Sequence, residues 1–224
     1  MRTETFELNG YQATVLIPEN PNGKWIWKTE FFYAFDQAER ALFDKGYTRV
    51  NYQISNKYGS KNAVRLMAEF YQELLARYPF LEKQAILFGF SRGGLYAFNY
   101  ALEYAENVEK IYLDAPVLNL HSWPHAGTNE QAMFFSEYGL TEETFADFKD
   151  SPIDNLEEFS EKNIPILLIV GEKDLSVPFE ENGKFLLDCY TKKGKPIQFF
   201  LKEGAGHHPH SLDDVSMIVD FIEQ

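Results

Sequence analysis

The sequence predicts an α/β protein, a mostly parallel sheet with helices on both faces and one domain over residues 1–224. Two observations predict it. Apolar runs of strand length, "QAILFGF", "EKIYLDA", "IPILLIVG" and "PIQFFLK", alternate with amphipathic stretches at helical spacing, the rhythm of a parallel sheet covered on both sides. A chain of 224 residues at 45% hydrophobic is also long enough for one sizeable core, and its composition resembles neither disordered, collagenous nor coiled-coil proteins.

The chain opens with two alternating segments, "TFEL" and "YQATVLIP", joined by Asn9-Gly10, a dipeptide suited to a two-residue hairpin turn whose central residues need positive φ. Next come the strand "KWIWKTEF", the amphipathic "AFDQAERALFDKG" ending in a C-cap glycine, and the strand "TRVNYQI". Ser60 is placed to cap the helix "KNAVRLMAEFYQELLARY", which Pro79 stops. The remaining strands alternate with a helix after Ser91, one near 179–193 and a final helix "LDDVSMIVDFIEQ". Between about 116 and 163 the chain is rich in Trp, His, Phe, Glu and Asp and shows no strand, so it reads as a cap-like excursion over the sheet.

Net charge and cysteine usage narrow the function. A balance of 34 acidic against 21 basic residues, net −13, repels nucleic acid and anionic lipid. The amino terminus has no signal-like core, and no apolar run approaches the roughly 18 residues of a membrane span, so a cytoplasmic protein is expected. The sole cysteine, Cys189, lies among apolar residues and reads as a small buried hydrophobe.

The stretch "ILFGFSRGGLYAFNYAL" places Ser91 between Gly89 and Gly93, where a strand hands over to a helix. Ligands of parallel sheets bind beyond the carboxyl ends of the strands. Glycines on either side permit a tight strand-to-helix turn, so the hydroxyl projects from the sheet and the backbone N–H of Arg92 faces whatever it attacks. A serine hydroxyl is a weak nucleophile until a base takes its proton, which calls for a histidine and a carboxylate on later loops of the same edge. Asp174 follows the strand "ILLIVG", and His207, His208 and His210 follow the strand "FFLK".

On "GFSRGG", "GEKDLSVP" and "GAGHHPH" the chain resembles the α/β-hydrolase fold superfamily over nearly its whole length. The segments "WIWKTEFF", "YGS", "LDAPVLNLHSWP" and "GHHPHSL" resemble a bacterial subgroup known under the general label of esterases. The resemblance implies that Ser91 is the nucleophile, Asp174 the acid and His207 the base. Asp114, after the preceding strand, is the alternative acid, since some members of the fold place theirs there; otherwise it bonds loop backbone. His208 is the alternative base, and His210 packs the loop. Fold analogy puts a second oxyanion donor at the N–H of Glu30 or Phe31, in a loop lacking the HGGG run of many lipases. The Glu30 side chain either binds substrate or pairs with Arg92.

Trp27, Tyr58, His121 and Trp123 are expected on the same edge, as packing residues or as an aromatic floor for a sugar or aryl group. Three neighbouring histidines raise the idea of zinc, but no second ligand cluster completes a site, so neither metal nor organic cofactor is expected. The expected activity is a carboxylesterase cleaving small short-chain acyl esters, acetylated carbohydrates among them. Peptidase, thioesterase and C–C hydrolase chemistry on the same fold are the alternatives, as is a non-catalytic ligand-binding protein, which would normally have lost a triad member. The short cap and the lack of a propeller-like extra domain weigh against a large peptide-sorting enzyme.

Overall fold

The computed structural model describes residues 1–224. Eight strands form one sheet: β1 (Arg2–Leu8), β2 (Tyr11–Ile17), β3 (Trp25–Lys28), β4 (Thr48–Tyr52), β5 (Ala85–Phe90), β6 (Val108–Asp114), β7 (Ile166–Gly171) and β8 (Ile197–Lys202). Their order is β1-β2-β4-β3-β5-β6-β7-β8. Strands β1 and β2 run antiparallel to each other, β2 runs antiparallel to β4, and every other pair is parallel. The opening hairpin turns at Asn9 (φ 52°) and Gly10 (φ 79°), the left-handed pair that its sequence calls for.

Alternation along the strands divides the core in two. Trp25, Trp27, Leu87 and Leu113 face a cluster of 41 buried residues that takes in helices α2 (Lys61–Arg77), α3 (Gly93–Glu103) and α7 (Gly183–Lys192). Ile26, Phe88, Phe90 and Tyr112 face a cluster of 14 that takes in α1 (Gln37–Asp44) and α8 (Ser216–Glu223). Both faces are thus covered, each fully buried Leu, Ile or Phe contributing roughly 1.5–3 kcal/mol. Ser60 caps α2 by accepting the N–H of Ala63.

The excursion between β6 and β7 carries α4 (Asn129–Tyr138), the single turn α5 (Glu142–Phe145) and α6 (Leu156–Glu161), and no strand. Two helices are shorter than their patterns predict. The one expected near 179–193 breaks at Asn182, whose side-chain oxygen accepts the N–H groups of Leu118 and Asn119 while its amide donates to Ser122 and Pro178; tying down the start of the excursion costs the helix its first turn. The final helix begins at Ser216 rather than Leu212, because 203–215 is a loop crossing the carboxyl edge of the sheet.

Candidate active site

Strand β5 ends at Phe90, and Ser91 takes φ 50°, a left-handed conformation that non-glycine residues adopt at a cost of about 1–3 kcal/mol. Its neighbours hold it there: Ser91 donates its N–H to the carbonyl of Asp114, and its own carbonyl accepts from Gly94 and Val117. The turn is tight because α3 lies against the strand it follows. A Cβ on Gly89 would meet that of Ala97 at 2.9 Å, and one on Gly93 would meet Thr29 Oγ1 at 2.9 Å.

Asp174 sits in the turn after β7 and His207 in the loop after β8, with the two loops stitched by bonds from Lys173 N–H to the Ala205 carbonyl and from Gly204 N–H to the Glu172 carboxylate. Oδ2 of Asp174 lies 2.6 Å from His207 Nδ1, and His207 Nε2 lies 2.9 Å from Ser91 Oγ. Oδ1 of Asp174 accepts the N–H groups of Ser176 and Val177, which explains the D-x-x-V spacing. Burial alone would raise the Asp174 pKa, but its bonds from His207, Val177 and Ser176 outweigh burial and hold it below the usual range. An ionised carboxylate only accepts, so Nδ1 carries the imidazole proton and Nε2 presents its lone pair to the serine hydroxyl.

Asp114 is fully buried and occupied elsewhere. It accepts from Tyr112 Oη, Ser211 N–H and His210 Nδ1–H, each at 2.8 Å, with Lys202 Nζ at 3.4 Å. His208 is exposed, its ring stacked on Phe35, and makes no bond to Ser91 or Asp174; burial and the neighbouring His210 and His207 push its pKa down. Nitrogens of His207, His208 and His210 nonetheless gather within 4.8 Å of one another.

The loop after β3 crosses beside Ser91. Phe31, at φ 55°, lines the same cleft as the serine, whereas the Glu30 side chain turns away to Arg92 (3.4 Å) and Ser55 Oγ (3.1 Å). Burial pushes the Glu30 pKa up, and Arg92 and Ser55 pull it part of the way back. Two buried cations hold this loop, Lys28 donating to the Ala34 carbonyl and pairing with Glu39, Arg49 donating to the Phe32 carbonyl and pairing with Asp36. Local pattern gives no sign of either role.

The cleft has a volume of about 470 Å³, and Trp123, Pro124 and Glu130 of the excursion line it with Phe31, Ser91 and Arg92. Of the four aromatics expected there, only Trp123 reaches it. Trp27 is a core residue between Phe70 and Tyr100, because β3 is buried on both faces along its whole length. Tyr58 is fully buried with its ring 6.2 Å from that of Trp123. His121 is exposed, stacked on Phe145, and its Nε2–H donates to the Phe148 carbonyl within the excursion.

Comparison with known proteins bears on this arrangement. Residues 42–224 match the sequence model of the prolyl oligopeptidase family. The chain belongs to that family. Prolyl oligopeptidase-family membership makes it an α/β-hydrolase-fold protein. No curated protein matches the chain in sequence. Among solved structures it is similar to an acylaminoacyl peptidase in complex with Z-Gly-Gly-Phe-chloromethyl ketone (TM-score 0.71, 17% identity, covering 100% of this chain and 41% of that one). It is also similar to the acylaminoacyl peptidase of Pyrococcus horikoshii (TM-score 0.68, 16% identity, 92% and 37%). The chain therefore spans about two-fifths of the length of these structures. No helix is long and apolar enough to cross a membrane.

Proposed function

We propose that the protein is a serine peptidase acting on small peptide-like substrates through an acyl-enzyme. The observation that carries this reading is the continuous hydrogen-bonded chain Ser91–His207–Asp174, at 2.9 and 2.6 Å, within a chain that belongs to a peptidase family. Ser91 Oγ attacks the carbonyl carbon as its proton passes to His207 Nε2, and Asp174 stabilises the imidazolium. The N–H groups of Arg92 and Phe31 are our proposed donors to the developing oxyanion, each worth on the order of 3 kcal/mol; Phe31 is preferred to Glu30 because it lines the cleft. The imidazolium then protonates the leaving amine, and water attacks the acyl-enzyme by the same route in reverse.

Family membership moves the favoured bond from ester to amide. A short-chain ester remains the second reading, favoured by a cleft whose apolar lining comes from Phe31, Trp123 and Pro124 alone, enough for a small acyl group.

The test begins with a fluorophosphonate probe, which labels Ser91 in wild type and not in Ser91→Ala. Turnover of unactivated short peptides is then compared with that of ethyl esters carrying the same acyl group. Peptide cleavage supports the peptidase; ester turnover with intact peptides supports the esterase. Absence of labelling in folded protein overturns both.

A further inference from the structure

Two histidines beside the base take no part in the proposed reaction. His210 donates Nδ1–H to Asp114 at 2.8 Å, and its Nε2 is buried without a hydrogen-bond partner. His207 is oriented in the same way, Nδ1 on Asp174. A carboxylate that fixes the proton on Nδ1 leaves Nε2 as a lone pair, the arrangement in which proteins present imidazole to a metal. His208 is the third ring, exposed on one side and stacked on Phe35 on the other.

One nitrogen from each ring lies within 4.8 Å of the others. Tetrahedral zinc with Zn–N bonds of about 2.0–2.1 Å needs nitrogens about 3.3 Å apart, so closure takes a small inward rotation, which the exposed His208 supplies most readily. The nearby cation, Lys202, is held by Asp114 and the Pro209 carbonyl. Asp114 and Asp174 together outnumber it. Three imidazoles without a carboxylate ligand suit zinc, copper or nickel rather than magnesium or calcium.

We propose that His207, His208 and His210 form a binding site for a divalent transition metal, Zn2+ foremost, whose occupancy reversibly shuts off the enzyme. The metal takes the His207 Nε2 lone pair, the one that must accept the Ser91 proton, so metal binding and catalysis exclude each other. Inhibition rests on the proposed reaction; binding does not.

Binding is therefore measured first, on the 224-residue chain carrying Ser91→Ala, by the visible absorption of Co2+ and by calorimetry with Zn2+. One site is expected, with Zn2+ displacing Co2+. His208→Ala should weaken it by roughly tenfold or more, whereas His121→Ala should not. Because His210→Gln also disturbs Asp114, it serves as a second variant rather than the deciding one. In wild type, Zn2+ should abolish turnover and a chelator restore it, with His208→Ala needing correspondingly more Zn2+ relative to its own metal-free rate. Failure to bind at roughly millimolar metal, or equal affinity in His208→Ala and His210→Gln, overturns the site. A protein that binds zinc yet hydrolyses nothing keeps the site and overturns the reaction instead.

Discussion

The carboxylate of Asp114 receives His210 Nδ1–H at 2.8 Å while its backbone carbonyl receives the N–H of Ser91 at 3.0 Å. One residue at the end of β6 thus touches the nucleophile's turn with its main chain and the histidine loop with its side chain. Asp174, one strand further along the sheet, touches His207 directly.

These two aspartates are expected to fail differently. Asp174→Asn removes the acceptor that sets the His207 tautomer and should lower kcat by roughly 10⁴-fold. Asp114→Asn takes the charged acceptor from buried His210, the Ser211 N–H and half-buried Lys202 and should cost about 1–3 kcal/mol of stability, with the folded fraction keeping most of its turnover. Rates normalised to labelled active sites, together with urea unfolding, separate the two outcomes. The opposite ranking would move the acid to β6.

Ser91 supplies a second test, because its left-handed backbone is a strain independent of its hydroxyl. Both Ser91→Ala and Ser91→Gly should fold and lose turnover by roughly 10⁶-fold. Glycine relieves the conformation at φ 50° that alanine retains, so Ser91→Gly should be the more stable of the two by about 1 kcal/mol after its own entropic cost. Equal urea midpoints would mean that the turn is not strained.

Lys28 and Glu39 form a buried ion pair, burial pushing the lysine pKa down and the glutamate pKa up against their mutual attraction. Glu39→Gln alone leaves an uncompensated buried ammonium and should cost about 3–5 kcal/mol. The double change Lys28→Met with Glu39→Leu should recover most of that stability but not turnover, because the Ala34 carbonyl loses its anchor and the Phe31 loop loosens. Full recovery of kcat in the double variant would show that Lys28 does not position the loop.

Among esters of rising acyl length, kcat/KM should peak at about two to four carbons. A longer chain gains roughly 0.8 kcal/mol per methylene only where apolar wall receives it, and Phe31, Trp123 and Pro124 are too few to line a tunnel. A rise that continues past about eight carbons would reveal a lipid-sized pocket.

What could be read from the sequence follows from the range of each interaction. The hairpin at Asn9-Gly10, the Ser60 cap and the Ser91 turn are written in consecutive residues, and the structure forms all three. The proximity of Ser91, Asp174 and His207 was legible because each follows a strand of one parallel stretch of sheet, which brings those strand ends to one edge. Trp27 misled because a pattern of apolar residues says that a strand is buried without saying where along it solvent begins. Lys28, Arg49 and Asn182 were invisible for a related reason: their partners are loop carbonyls, N–H groups and carboxylates that come close only after folding, and no local periodicity encodes such meetings.

The stitching of the Asp174 and His207 loops sets the order in which the three residues can meet during synthesis. A ribosome releases the nucleophile's strand and helix early, but the base arrives on the last loop before α8, and it is held by contacts that β8 must first dock to create. A half-made chain therefore carries the serine without its base. The hydrogen-bonded chain Ser91–His207–Asp174 closes only once β8 and the loop after it are in place.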